Sequence, residues 1–147
     1  MAEQNHMQVI FDAKSVNESL ARMVVTAFMT DMNPTLEQIS DVKTAVSEAV
    51  TNAIIHGYVN ENMEDSVELC CDREGQQLIV TVEDHGVGIA DVEQARNPFY
   101  TTKPELERSG MGFTFMEAFM DKVEVCSQLG VGTKVVMWKY IERDSEK

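Results

Sequence analysis

Basic residues are scarce in this chain. Its 147 residues include 12 Lys and Arg against 25 Asp and Glu, a formal net charge of −13. A surface this acidic repels phosphate backbones and anionic headgroups, so neither nucleic acid nor a membrane is expected as a direct partner. A bound polyanion would need local help from a cation, backbone N–H groups or a few placed Lys or Arg side chains. Cysteine is sparse as well, at three residues. Cys70 and Cys71 are adjacent and Cys126 is alone, which fits neither a disulfide framework nor a metal-binding spacing and points to a reducing compartment. Long apolar runs are missing: no stretch approaches the roughly 18 residues of a membrane span. Met1 to Met7 lacks the basic-then-apolar pattern of an export signal. A cytoplasmic protein is therefore expected. With three Pro, no repeat and no low-complexity segment, residues 1–147 read as a single domain of ordinary size with a hydrophobic fraction of 44%, enough for a real core.

The pattern that is present centres on one long helix. Leu36, Ile39, Val42, Val46, Ala49, Val50, Ala53 and Ile54 recur at helical spacing and predict one buried stripe from about Pro34 to Ile55. Glu48 and Asn52 stand four apart on the face away from that stripe. One side of this helix can pack on a sheet while the other offers a carboxylate and an amide. Thr35 with Gln38 offers a cap at its start, and Gly57 is suited to its end. An earlier helix is expected from the capping-box pair Ser15 and Glu18 to about Thr30, with Leu20, Met23, Val24, Ala27 and Phe28 as its apolar side.

Alternation predicts strands at Met7–Asp12, Val67–Asp72, Leu78–Glu83, Lys122–Gln128 and Thr133–Tyr140, the second and third joined by a Gly-containing turn. A short helix is expected at Asp91–Arg96, then a long irregular stretch from Asn97 to Ser109, then a helix from Gly110 to Asp121. Helices on one face of a mixed, mostly antiparallel sheet make an α+β, two-layer sandwich.

Three motifs carry chemistry, each weak by itself. Asn52 presents a hard amide oxygen, which suits Mg²⁺ when substrate phosphates and water complete its shell. Glu48, one turn away, is placed to take a proton from an attacking hydroxyl. Asp84-His85-Gly86-Val87-Gly88 follows a strand; its carboxylate can accept a hydrogen bond from an exocyclic amine, and Gly86 and Gly88 permit positive φ and a close backbone approach. Gly110-Met111-Gly112-Phe113 opens a helix, whose free N–H groups favour phosphate. Lys103 and Arg108 precede it and are the cations best placed for terminal phosphate oxygens. The plain alternatives are a solvated helix face, an ordinary Gly turn and a loop surface. From position alone, Arg22 reads as an exposed charge.

Taken in order, the Glu/Asn helix, Asp-x-Gly-x-Gly and Gly-x-Gly resemble the ATP-binding domain shared by gyrase, Hsp90, the histidine kinases and the MutL proteins, a Bergerat-type fold. Val46 to Tyr58, Thr101 to Thr114, Asn17-Glu18-Ser19 and Ala21-Arg22 make the whole chain similar to the anti-sigma F factors of endospore-forming bacteria. The hairpin from Asn60 to Gln77 and the C-terminal tail depart from that pattern. The resemblance implies a protein serine kinase that is also an anti-sigma factor, with ATP or ADP and Mg²⁺ as cofactors. It implies Glu48 as catalytic base and Asn52 as the Mg²⁺ ligand. It places Asp84 on adenine with Thr133 beside it through water, and Arg108 on the γ-phosphate. Gly86, Gly88, Lys103, Ser109, Gly110, Met111, Gly112 and Phe113 complete the nucleotide site. It gives Arg22 a partner-binding role, as a helix residue that holds sigma factor F and the anti-anti-sigma factor that becomes phosphorylated on serine. It also implies a homodimer. Two other readings share the fold: an anti-sigma kinase of the stress-response branch, and a nucleotide-gated binding module without phosphoryl transfer.

Overall fold

A computed structural model describes residues 3–55, 65–89, 92 and 112–143. In order they form β1 (Gln4–Asp12), α1 (Asn17–Met29), a 3₁₀ turn (Thr30–Met32), α2 (Leu36–Ile55), β2 (Ser66–Glu74), β3 (Gln77–Asp84), α3 (Gly112–Phe119), β4 (Lys122–Gln128) and β5 (Gly132–Tyr140). The five strands make one sheet in the order β1-β2-β3-β5-β4. All four pairings are antiparallel. The three helices form the second layer, with α2 packed between α1 and α3 and against β2, β3 and β5. This is the expected sandwich, its sheet antiparallel at every described pairing.

Period-2 alternation sets the buried face. Met7, Cys71, Val80, Met137 and Val123 stand in one cross-strand row, and Val9, Leu69, Val82, Val135 and Val125 in the next. The α2 residues Val42, Ala45, Val46, Ala49, Val50 and Ala53 close over these rows. Each fully buried Val, Leu or Met side chain contributes about 1.5–3 kcal/mol relative to exposure. The small Ala45, Ala49 and Ala53 let the helix backbone approach the sheet, which seats the face bearing Glu48 and Asn52 close to the domain body; both are half-buried.

The helix starts differ from expectation in instructive ways. Thr35 and Gln38 form the reciprocal capping box: Gln38 N–H donates to Thr35 Oγ1 and Thr35 N–H donates to Gln38 Oε1, both at 3.1 Å. Pro34 therefore lies before the cap and not in the first turn. Leu36 does not join the buried stripe and is 80% exposed, because the first turn of α2 projects beyond the sheet-facing residues. No capping box forms at Ser15. α1 begins at Asn17 without a side-chain cap, Asn17 Nδ2 donates to the Asp12 carbonyl, and Glu18 turns toward α2. The buried face of α1 is Ala21, Val25 and Met29. Val24 and Phe28 are half-buried, whereas Leu20 and Ala27 are exposed and Met23 is 71% exposed. Apolar residues occur on both sides of α1, and the side with the small Ala21 packs more closely on α2.

Two cations, Arg73 buried and Lys139 partly buried, tie the ends of the sandwich. Arg73 is 4% exposed. It pairs with Asp31 at 3.1 Å and Glu3 at 3.0 Å, and donates to Gln76 Oε1 and the Gly75 carbonyl. It thus binds the β2–β3 hairpin to the 3₁₀ turn, a role its place beside a turn did not suggest. Lys139 Nζ donates to the Phe119 carbonyl at 2.6 Å and lies 3.4 Å from Asp41, a cation on the C-terminal end of α3 where the helix dipole favours it. Among the described residues no helix is long and apolar enough to cross a membrane. Cys71 is buried and Cys70 half-exposed on the opposite face, as adjacent strand residues must be.

Candidate functional site

The inward row at one end of the sheet is Phe11, Val67, Asp84, Thr133 and Ser127. Apolar residues fill it on β1 and β2, and polar residues on β3, β5 and β4. Asp84 is the last residue of β3 and only 4% exposed. Its Oδ1 accepts the Gly86 N–H at 3.0 Å. Burial raises its pKa above the ordinary carboxylate value, and backbone hydrogen bonds from Gly86 and Thr133 act in the opposite direction. A carboxylate has about four acceptor sites, so these donors leave capacity for a ligand amine.

The loop after Asp84 is stitched to the β4–β5 turn. Ile89 N–H donates to Ser127 Oγ at 2.6 Å, and Gly130 N–H to the Val87 carbonyl at 2.9 Å. Ser127 Oγ also lies 2.8 Å from Thr133 Oγ1 and donates to the Gly132 carbonyl at 3.1 Å. One hydroxyl therefore links the loop, β4 and β5. An open hollow of about 260 Å³ at this end is bordered by Asp84, Ser127 and Thr133, with Glu83, Cys126 and Lys134 at its rim.

The two glycines of the Asp84 motif have different reasons. Gly88 has φ +78°, and a Cβ there would meet the Gln128 carbonyl oxygen at 2.2 Å. The close approach is to the chain's own β4–β5 turn. Gly86 is not among the described positive-φ residues; its contribution is the N–H given to Asp84, so the positive φ that both glycines permit is used at Gly88 alone of the two.

Ser127 and Gly132 join this site without belonging to any of the three motifs. Gly132 has φ +139°, and a Cβ on it would lie 2.1 Å from the Asp84 carbonyl oxygen. The only signal for either was the Gly-rich turn before β5, whose meaning depends on which strand β5 pairs with.

Glu48 and Asn52 lie one turn apart on α2. α2 is the common neighbour of β3, which ends at Asp84, and of α3, which begins at Gly112. Gly112 and Phe113 do open that helix as expected. Lys103, Arg108, Ser109, Gly110 and Met111, the end of the long helix near Gly57, and the Asp91–Arg96 helix save Val92 lie outside the described residues.

Arg22 is part of a small polar cluster on α1. Its Nε stands 3.1 Å from Glu18 Oε1 and its Nη2 donates to Ser19 Oγ at 3.3 Å. Glu18 Oε1 also accepts a hydrogen bond from Ser47 of α2. Arg22 is 39% exposed, so it is neither a free surface charge nor a core residue.

Comparison with known proteins agrees with this fold. Residues 11–139 match the histidine kinase-like ATPase domain family. The chain is 54% identical over 136 residues to an anti-sigma F factor from Clostridium acetobutylicum, covering 92% of this chain and 94% of that relative. It is 51% identical over 140 residues to one from Anoxybacillus flavithermus, covering 95% of each. Among solved structures it is similar to the RsbU and RsbW domains of Rv1364c from Mycobacterium tuberculosis, with TM-score 0.67 and 17% identity over 95% of this chain and 32% of that one. It is also similar to the catalytic domain of the histidine kinase ThkA, with TM-score 0.57 and 15% identity over 92% of this chain and 96% of that one. The two structural likenesses bear on the fold alone.

Proposed function

The chain belongs to the anti-sigma F factor family and carries a histidine kinase-like ATPase domain, and on that premise we propose that it sequesters sigma factor F and phosphorylates a serine of an anti-anti-sigma factor at the expense of Mg²⁺-ATP. The observation that carries the nucleotide part is the buried Asp84 carboxylate, fixed by Gly86 and Thr133 at the end of the sheet. A buried carboxylate with spare acceptor sites suits the exocyclic amine of adenine. The bare hard oxygen of Asn52 on a rigid helix suits Mg²⁺.

When bound, Mg²⁺ supplies neutralising charge to the phosphates being separated. The chain's own residues do the rest. Asp84 orients the base. Asn52 holds the cation, and Glu48, one turn earlier, takes the proton of the attacking serine hydroxyl. The N-terminus of α3 suits the terminal phosphates, and Lys103 and Arg108, which precede it in the sequence, are the cations this reading assigns to them. Positioning and electrostatics account for most of the acceleration in such transfers. If ATP affinity were equal with and without Mg²⁺, Asn52 would lose its role.

For the protein partners, the supporting observation is the exposed side of α1. Val16, Leu20 and Met23 are exposed large apolar residues, and the partly exposed Arg22 of the same helix has Glu18 as its carboxylate neighbour. A helix that exposes both apolar side chains and a guanidinium fits a protein surface, either sigma factor or a second copy in a homodimer. The acidic chain fits a cytoplasmic regulator acting on proteins and not on DNA.

The test is a phosphotransfer assay. Purified protein, Mg²⁺ and γ-labelled ATP are mixed with a sporulation anti-anti-sigma factor. Label on a serine of that protein is expected. ATP binding without label on it, or label only on a stress-branch homologue, would overturn the sporulation kinase reading.

A further inference from the structure

The cluster around Ser47 has a consequence that the nucleotide chemistry does not use. Ser47 lies on the α2 flank that meets α1, one residue before Glu48, and donates its hydroxyl to Glu18 Oε1. That same oxygen stands 3.1 Å from Arg22 Nε. Arg22 Nε is buried, yet its N–H makes no hydrogen bond, so Glu18 holds it by charge and not by a directed bond. Among the described residues only Ser19 accepts from its Nη2, at 3.3 Å. The guanidinium keeps substantial exposure while its Nε end is held. A long side chain held this way has already lost much of its rotamer freedom before anything binds.

We infer that Ser47 is a positioning residue: by anchoring Glu18 to α2, it presets the Arg22 guanidinium on α1 for an acidic side chain of a protein partner. The inference rests on the proposed partner-binding role of Arg22. The Ser47 hydroxyl keeps the Glu18 carboxylate from swinging into solvent, and the fixed carboxylate fixes Arg22. An acidic partner group then meets an oriented fork of donors. Without Ser47, the partner must order both side chains as it docks, and ordering a rotamer-rich side chain lowers affinity by severalfold.

The experiment measures binding of purified sigma factor F, in the presence of Mg²⁺-ATP, to the wild type and to Arg22→Ala, Ser47→Ala, Ser47→Thr and the Arg22→Ala/Ser47→Ala double variant. Ser47→Ala should weaken binding roughly 3–10-fold. Ser47→Thr, which keeps the hydroxyl, should restore it. In the Arg22→Ala background, Ser47→Ala should add no further loss. Wild-type affinity in Ser47→Ala, or the same loss in both backgrounds, would overturn the positioning role while leaving Arg22 in place. Wild-type affinity in Arg22→Ala would overturn the partner role of Arg22 and this inference with it. A general packing defect would show as loss in both backgrounds without rescue by threonine.

Discussion

Gly132 faces the backbone of Asp84 so closely that a Cβ on it would lie 2.1 Å from the Asp84 carbonyl oxygen. The residue that opens β5 thus sets how the end of β3 presents its carboxylate. Gly130, two residues earlier, also has positive φ but has open space around its Cβ position. Gly132→Ala should therefore destabilise the protein by about 2–4 kcal/mol, by displacing backbone as well as straining φ. Gly130→Ala should cost about 1–2 kcal/mol from the left-handed conformation alone. Urea unfolding of both variants checks this, and equal losses would remove the contact with Asp84 as the cause.

Asp84 sits in a site that disfavours its ionised form. Its folded pKa is raised above 3.8, chiefly by burial. The stability linked to it is therefore fully present below the unfolded pKa. It is lost as pH rises from near 3.8 through the folded value, because the folded state holds the proton longer. At neutral pH the nucleotide-free protein carries that cost. Asp84→Asn should remove it, leaving unfolding stability at pH 7 equal to or above the wild type. The same change should reduce ATP affinity by tenfold or more, since the acceptor for the adenine amine is halved. Denaturant unfolding at pH 4 and pH 7, together with nucleotide titration, tests both halves. A variant less stable than wild type at pH 7 would contradict the burial argument.

Glu48 is assigned proton transfer and not binding. Glu48→Gln keeps size and hydrogen-bonding capacity while removing the base. It should retain ATP affinity within about twofold and lose phosphotransfer by 10²-fold or more, the usual scale for a positioned base. Single-turnover transfer under saturating Mg²⁺-ATP is the appropriate readout. An unchanged rate would assign the proton to another acceptor.

The reciprocal bonds between Thr35 and Gln38 start the helix that carries Glu48 and Asn52. Thr35→Ala should lower stability by about 1 kcal/mol. Ser15→Ala should be within about 0.5 kcal/mol of wild type, because no side-chain cap forms at the start of α1. Thermal unfolding of the pair distinguishes a cap that is used from one that only matches the pattern.

Much of this molecule was written along the chain itself. The α2 stripe, the alternating strands and the Gly-punctuated turns are local patterns whose periods, 3.6 and 2, follow from backbone geometry. They determined the elements, the two-layer class and the ordered motifs of the candidate site. That Glu48 and Asn52 stand one turn apart on α2 was legible because four residues make about one helical turn, and that Asp84 ends β3 because a strand pattern ran straight into a Gly loop. What depends on pairing was not legible. Strand order and register decided that Thr133 stands beside Asp84 and Ser127 beside Thr133, and close backbone approach decided why Gly88 and Gly132 must lack a Cβ. The rotation of α1 was also settled only by packing. Both of its sides carry apolar residues, and the one with Ala21 fits closer to α2, which leaves Leu20 and Met23 in solvent. That rotation, with the contact from Ser47 to Glu18, gives Arg22 its setting, because a residue's neighbours across a helix interface are chosen by shape in three dimensions and not by spacing in one.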